Sequence, residues 1–148
     1  MKKTGTHCVR GQIPEGVEER IQLFDGKFTT GYRITDVRIC SSDVGSSSDD
    51  CSVRISTESI GNMPSSGESM IDFSDNRQIA WCGYSTDGSN GFASIAPIID
   101  PENMIIEDLY ISGQHGSTHP INYMIFLEKY EFVSWQGAAL MVGNKSQA

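Results

Sequence analysis

The stretch INYMIFLEKYEF, residues 121–132, decides which fold class this chain can adopt. Met, Leu, Glu and Lys favour a helix, so a short helix is the main alternative. However, the stretch is short, it is rich in β-branched and aromatic residues, and it has no N-terminal capping box. We therefore predict a β-strand here, with bulky apolar side chains on both of its faces.

Turn residues divide the rest of the chain into short segments rich in Val, Ile, Phe, Tyr and Thr, which is typical of an all-β protein. The predicted strands are residues 6–13, 19–24, 28–40, 51–57, 77–84, 92–98, 104–112, 121–132 and 138–142. Eight or nine strands in 148 residues predict a single-domain antiparallel β-sandwich, a jelly roll of about eight strands. Short polar arms, residues 1–5 and 143–148, are expected at the two ends.

The strand predicted over residues 51–57 alternates most regularly between apolar and polar positions. Its odd-numbered residues are predicted to face the core, and its even-numbered residues to face water. Residues 59–69, rich in Gly, Pro and Ser, are predicted to form a surface loop. The predicted water-facing residues are Ser52, Arg54, Ser56 and Glu58.

Two predicted strands, 104–112 and 121–132, carry apolar side chains on both faces. In the second, Tyr123, Ile125 and Leu127 are predicted to fill the space between the two sheets. Either loops of the same chain or a neighbouring subunit must cover the opposite faces. The candidate protein-contact residues on these opposite faces are Met104, Ile106, Tyr110, Met124, Phe126 and Tyr130.

The charge of the chain narrows its possible partners. The formal net charge is −8 and the sequence pI is near 4.7, with no cluster of Lys and Arg. Phosphate binding needs such a cluster, so no direct contact with nucleic acid is expected. No uninterrupted apolar run is long enough for a membrane span, and no apolar segment of a secretory signal follows the first residues.

The cysteines are expected to act as small apolar residues. Cys8, Cys40, Cys51 and Cys82 lie in strand-like contexts and lack zinc-site spacing. Cys40 and Cys51 flank a ten-residue segment and could face each other across a hairpin. We expect them to stay reduced, because thiols in a cytoplasm normally do.

Two motifs could in principle hold a metal. His115 and His119 form a His-x3-His pair, but Gly, Ser, Thr and Pro around them indicate a solvated turn without a third ligand. The stretch SSDVGSSSDD contains three aspartates but lacks the ligand pattern of a calcium-binding EF-hand, so it is predicted to be a hydrated loop. We predict no metal and no cofactor.

The sequence also carries no catalytic motif. It has no Gly-x-Ser-x-Gly elbow, no phosphate-binding glycine loop and no dinucleotide fingerprint, so we predict that the protein is not an enzyme. Catalytic groups that meet only in space leave no such motif. Trp81, Tyr84 and Trp135 could form a sugar-stacking platform, although Trp81 is predicted to lie in the core.

Three stretches carry a resemblance to known proteins. FDGKFTTGYRITDVRI, SDNRQIAWCGYS, and IDPENMIIEDLYISGQHG followed by INYMIFLEKYEF, in this order, resemble small β-rich proteins of bacteriophage genomes, notably marine ones. Those proteins are usually taken for virion components of jelly-roll type. The resemblance implies a major or minor capsid subunit or a capsid decoration protein, and it supplies no functional residues to transfer.

A capsid-associated role agrees with the two-faced strands, because a shell subunit buries surface against its neighbours. The expected partners are copies of the chain itself and other capsid proteins, as a homo-oligomer in a virion assembled in the host cytoplasm. The alternative function is a carbohydrate-binding β-sandwich module of a virion appendage.

Overall fold

The computed structural model describes residues 1–44, 49–67, 70–87 and 92–133, and within these ranges it contains strands and no helix. Two antiparallel sheets form a sandwich, one with the strand order β1-β8-β3 and one with the order β2-β7-β4-β5-β6. The predicted all-β sandwich of about eight strands is therefore confirmed. The strands are β1 (Lys2–Ile13), β2 (Glu19–Ile21), β3 (Thr30–Ser41), β4 (Cys51–Ser56), β5 (Gln78–Asp87), β6 (Phe92–Ile99), β7 (Leu109–His115) and β8 (Ile121–Glu131).

The strand pairs are nested along the chain, so that the first strands pair with the last and β4 pairs with its neighbour β5. β1 pairs with β8, β2 with β7 and β4 with β5, always antiparallel. β3 joins the other side of β8, β4 also pairs with β7, and β6 pairs with β5 at the edge of the five-stranded sheet. Because the chain passes repeatedly from one sheet to the other, neither sheet is a separate folding unit.

The core lies between the two sheets and contains the residues predicted to face inward. Val53 and Ile55 from β4 are fully buried, and so are Ile125 and Leu127 from β8. Strict alternation along a strand places such residues on one face, which is why the sequence predicts them correctly. Each contributes roughly 1.5–3 kcal/mol to folding through burial.

The segment predicted as a strand over residues 104–112 becomes a strand only at Leu109. Ahead of it, Ile105 forms an isolated bridge with Tyr32, in which each backbone N–H donates to the other residue's carbonyl at 2.7 and 2.8 Å. This bridge places residues 104–106 beside β3, along the free side of the three-stranded sheet.

Residues 104–106 supply side chains to both sides of that sheet. Ile105 is 1% exposed and belongs to the main core, whereas Met104 and Ile106 form a second, smaller cluster with Phe132 and Tyr130. The apolar residues at successive positions are therefore explained by two separate cores of the same chain.

A long connection, residues 57–77 with 68 and 69 outside the described residues, covers part of the outer face of the five-stranded sheet, over β4 and β7. Arg54 on that face is 3% exposed, and its guanidinium donates to the carbonyls of Gly61 at 2.9 Å and Met70 at 3.5 Å. The prediction that Arg54 and Ser56 face water is wrong, because alternation identifies a shared face but not what covers it.

The same connection is bonded to β7. Met63 is 1% exposed, its backbone N–H donates to Ser112 Oγ at 2.8 Å, and its carbonyl accepts from Gln114 Nε2 at 2.7 Å. Nearer the start of the connection, the backbone N–H groups of Ile60 and Gly61 donate to the carboxylate of Glu18, which lies just before β2. The connection is thus a third layer of the sandwich with its own buried contacts.

Several strand boundaries differ from prediction; β2, for example, ends at Ile21 and not at residue 24. β1 begins at Lys2 and pairs with the end of β8, so residues 2–5 are strand and not a polar arm. β3 has a register shift between Ile34 and Asp36. The predicted strand 138–142, the predicted arm 143–148 and the turn after β5 lie outside the described residues.

All four cysteines are free thiols. Burial raises the pKa of Cys51 to about 12 and that of Cys82 to about 11, so these two remain protonated at neutral pH. In the part of the chain that the structure describes, no helix has the length and apolar character needed to cross a membrane.

Candidate protein-contact surfaces

Three of the six predicted contact residues pack against other side chains of their own chain. Met104 and Ile106 are 8% and 2% exposed in the small second cluster, so their prediction as contact residues is corrected. Tyr130 packs against the same cluster, and the guanidinium of Arg33 lies 5.5 Å from the centre of its ring. Met104 and Ile106 therefore stabilise the fold rather than offer a surface, and half-buried Tyr130 is engaged with them.

Tyr110 lies on the opposite side of the molecule, where it pairs with Arg20 and Ser56 on the five-stranded sheet. It lines a cleft of about 440 Å³ together with Glu107, Asp108 and other polar residues. Tyr110 is thus separated from the remaining predicted contact residues by the whole sandwich.

Asp108 in this cleft serves the fold. Its Oδ1 accepts from the backbone N–H groups of Leu23 and Phe24 at 2.8 and 2.9 Å, and its Oδ2 pairs with Arg20. Burial on its own would raise the pKa of Asp108, but these hydrogen bonds hold it below its ordinary value. The carboxylate therefore fixes the chain after β2.

Met124 and Phe126 remain on the outer face of β8, half-buried and not covered completely. The register places Arg10 and Arg38 on either side of Met124. We call the outward-facing side of the three-stranded sheet, centred on Met124 and Phe126, the basic face.

The basic face has an excess of positive charge although the chain as a whole is acidic. Lys3 pairs with Glu128, and Arg38 pairs with Asp36 at 2.8 Å. Arg33 and Arg10 lie on the same side of the sheet. Four cations therefore face two carboxylates on this surface, while the rest of the molecule carries the negative charge.

A second apolar surface was not predicted. Phe73 is 62% exposed and its ring centre lies 4.5 Å from that of Trp81, which is itself buried. Ile98, 50% exposed, is the partner of Trp81 across β5 and β6, and Ile71, 40% exposed, lies two residues before Phe73. We call Ile71, Phe73, Trp81 and Ile98 the Trp81 patch.

Acidic residues border the Trp81 patch. Asp72 lies between Ile71 and Phe73, and Asp100 follows Ile98 by two residues, directly after the end of β6. Asn76 lines a small pocket together with Asp100 and Glu102, so the connection and the turn after β6 meet there. Nearby Asp75 is neutralised by a two-point pair with Arg77.

The patch was missed because Ile71 and Phe73 lie in a segment rich in Ser, Asp and Asn, a composition that predicts a loop. Bulky apolar residues in such a polar segment, here Ile71 and Phe73, are a sequence signal that could have indicated exposed apolar surface.

The free edges of the sheets are unsuited to adding another strand. β2 has only three residues, and β1 carries Lys2, Lys3 and Arg10 with a register shift at Thr4. β3 has a register shift at Thr35, and part of its free side is bonded to Ile105. Charges, short strands and irregularities of this kind oppose pairing with another chain.

The edge of β6 is interrupted by proline. The backbone N–H of Asp100 donates to the carbonyl of Ile79 at 2.9 Å, which continues the β5–β6 ladder. Hydrogen-bonded positions alternate in an antiparallel ladder, so the nitrogen of Pro97 faces the free edge, where it has no hydrogen to donate. The surfaces that remain for contact are therefore the faces and not the edges.

One buried serine–histidine pair resembles a catalytic dyad in its spacing. Ser41 at the end of β3 and His115 at the end of β7 are 2% and 5% exposed, and Ser41 Oγ lies 2.7 Å from His115 Nε2. The backbone N–H of Ser117 donates to His115 Nδ1 at 2.9 Å, so the neutral ring carries its proton on Nε2.

In this tautomer Ser41 Oγ accepts from the histidine, and the serine hydroxyl donates to the carbonyl of Asp43 at 2.9 Å. A nucleophilic serine needs the reverse arrangement, in which the ring accepts the hydroxyl proton. The geometry therefore describes a structural link between β3 and β7.

The His-x3-His pair is likewise engaged. The rings of His115 and His119 lie 5.4 Å apart, and His119 Nε2 is 3.4 Å from Asp43 Oδ2. His115, predicted to lie in a solvated turn, is buried instead, and both its nitrogens are already hydrogen-bonded. Among the described residues, no group of three or more metal-ligating side chains is arranged to hold an ion.

His115 makes the stability of the fold depend on pH. Burial, and secondarily His119, lowers its pKa below the ordinary value of 6.5, whereas the carboxylates of Asp49, Glu15 and Asp43 oppose this effect. The unfolded chain therefore binds a proton at a higher pH than the folded chain does. We expect this contribution to be complete above pH 6.5 and to be lost as the pH falls from 6.5 toward the lowered value, by at most ~1.4 kcal/mol per pH unit.

Urea unfolding between pH 7.5 and pH 5, as a rough range around that transition, measures the effect. His115→Gln should reduce the slope of unfolding free energy against pH, whereas His7→Gln, which leaves the buried ring in place, should retain it. An unchanged slope in His115→Gln would contradict the assignment.

Trp81 is unsuited to stack on a sugar. It is 6% exposed, as the prediction of a buried Trp81 requires, and its indole N–H donates to Gln78 Oε1 at 2.9 Å. It lies under Phe73, outside the space between the sheets. Trp135, the other tryptophan, lies outside the described residues.

No protein-family model matches the sequence, and no curated protein matches it.

Proposed function

We propose that this protein is a structural component of a bacteriophage particle, either a major or minor capsid subunit or a decoration protein on the capsid. Its role is to assemble through protein–protein contacts made by the faces of its sandwich. The observation that carries the proposal is accessible apolar surface on both outer sides of the fold, with half-buried Phe126 on one side and Phe73, which is 62% exposed, on the other.

The order of strand pairing supports the proposal. Pairing of the first strand with the eighth, the second with the seventh and the fourth with the fifth is similar to the nested arrangement of jelly rolls, although β6 pairs with β5 and not with β3. Viral capsid proteins use this fold, although lectins and cupins use it as well, so it does not identify the function without the surfaces.

The resemblance of three segments to phage virion proteins selects among these uses of the fold. The sheet edges, which are unsuited to pairing with another chain, also support a capsid role. A subunit present at high local concentration must avoid uncontrolled strand addition. The acidic overall charge favours a position away from the packaged genome.

Mass spectrometry of gradient-purified particles from a culture infected by the encoding phage tests this proposal. We expect peptides of this chain in the particle fraction at a fixed ratio to the most abundant capsid protein, and retention after a high-salt wash. A cytosolic host protein of similar abundance, monitored in the same gradient, controls for carry-over. Absence of the chain from particles, with its peptides confined to the soluble fraction, would refute the proposal.

The alternative, a carbohydrate-binding module on a virion appendage, has one supporting observation. Phe73 is an exposed aromatic ring, and Asp72 and Arg77 line a pocket of about 430 Å³ close to it in the chain. Sugar-binding sites combine an aromatic face with such polar groups. A glycan array compared between the wild type and Phe73→Ala tests it, and no glycan signal that depends on Phe73 would remove this alternative.

A further inference from the structure

The two apolar surfaces of this molecule have opposite charge. On the basic face, Met124 and Phe126 are surrounded by an excess of Arg and Lys. On the other side of the sandwich, exposed Asp72 lies between Ile71 and Phe73 of the Trp81 patch, and exposed Asp100 follows Ile98 by two residues. Glu102, also exposed, lines a small pocket next to Asp100. Each surface thus has apolar residues at its centre and charged residues around them. The charges are positive on the basic face and negative at the Trp81 patch, so the two surfaces are electrostatically complementary.

We infer that the basic face of one copy docks on the Trp81 patch of a second copy, so that the protein assembles head to tail. This inference rests on the proposed structural function and names the partner as the chain itself. Phe126 and Met124 would meet Phe73 and Ile98, while Arg10 and Arg38 would lie against the acidic border of the neighbouring copy.

Charge decides against the symmetric arrangements. Two basic faces in contact would oppose Arg10 and Arg38 to their own copies, and two Trp81 patches would oppose carboxylate to carboxylate. Like charges across an interface are strongly unfavourable, whereas opposite charges steer association and fix its orientation. Of the three arrangements, the head-to-tail contact brings the positive charges of the basic face against the negative charges that border the Trp81 patch.

The position of the two surfaces gives the contact its geometry. They lie on the outer sides of different sheets, so each copy uses one surface for each of two neighbours. A contact between two different surfaces generates a closed ring or an open stack, depending on the rotation between successive copies.

Charge reversal tests the inference on the intact chain. Variant one, Arg10→Glu with Arg38→Glu, makes the basic face negative. Variant two, Asp72→Lys with Glu102→Lys, makes the border of the Trp81 patch positive. By sedimentation velocity over a concentration series at low salt, we expect each variant alone to self-associate about tenfold or more weakly than the wild type.

An equimolar mixture of the two variants should recover association, because each reversed surface then meets a surface of opposite sign. Lys2→Glu with Lys27→Glu changes the net charge by the same amount as variant one, but at positions outside the basic face and the Trp81 patch, and should associate as the wild type does. Thermal melts of every variant establish that each is folded.

A wild type that stays monomeric over the whole series, or folded variants that fail to recover association when mixed, would overturn the inference. These outcomes are separable from the fate of the proposed function. A monomeric protein found in purified particles would keep the structural role with a different partner. Recovery on mixing, with the chain absent from particles, would keep head-to-tail assembly and remove the virion role.

Discussion

Replacing Gly113 by alanine is expected to destabilise the protein by about 3 kcal/mol or to prevent folding. Gly113 lies within β7, and a Cβ there would be 2.5 Å from the carbonyl oxygen of Ser52 and within 3 Å of the side chains of Val53 and Ile121. The nearest atom belongs to the backbone of β4, which cannot move without breaking its ladder with β5. Urea unfolding of Gly113→Ala measures the loss.

Gly83 provides the matched control in the same sheet. A Cβ built at this position meets nothing within 4 Å. Gly83→Ala should therefore be neutral or stabilise by about 0.4–1 kcal/mol, because alanine restricts the unfolded chain. If both variants lose the same free energy, the contact with Ser52 is not the cause, and the close approach of β4 and β7 at Gly113 is refuted.

Replacing Arg54 by methionine is expected to cost about 2–4 kcal/mol of unfolding free energy. Methionine fills much of the same volume but offers no hydrogen to the carbonyls of Gly61 and Met70, which would lose these bonds beneath the covering connection. Burial lowers the pKa of Arg54, as expected for a cation held away from water. The variant should also be cut faster by protease within residues 57–77.

Arg38→Met is the control for Arg54→Met. Arg38 lies on the exposed side of β3 in an ion pair with Asp36, and such surface pairs contribute about 0–1 kcal/mol. Equal losses in the two variants, or unchanged proteolysis of Arg54→Met, would show that Arg54 does not hold the connection in place.

Local patterns in the sequence identify the inner faces of the strands but not what lies over their outer faces. The alternation around Val53 and Ile55 predicts their burial, because the side-chain period of a strand is a local property. The burial of Arg54 on the other face depends on carbonyls up to sixteen residues away, in a connection whose composition predicts only a loop.

The candidate surfaces show the same limit. Met124 and Phe126 are on an outer face as predicted, whereas Met104 and Ile106 are covered because residues 104–106 bond to Tyr32, far away in the sequence. No local pattern could have predicted that bridge. The Ser41–His115 hydrogen bond joins the ends of two strands in different sheets. The sequence around either residue does not predict its partner, which lies 74 residues away.

The position of β8 has a consequence for how the chain becomes folded. β8 is the last described strand, yet it lies in the middle of its sheet, and it is the partner of both β1 and β3. β4, β5 and β6 can pair with their sequence neighbours as soon as they leave the ribosome, but β1 must wait until residue 131 has been synthesised. Such long-range pairing makes folding slow, and the waiting strand is exposed to mispairing. The lysines of β1, which blunt its edge in the finished molecule, also protect it during this interval.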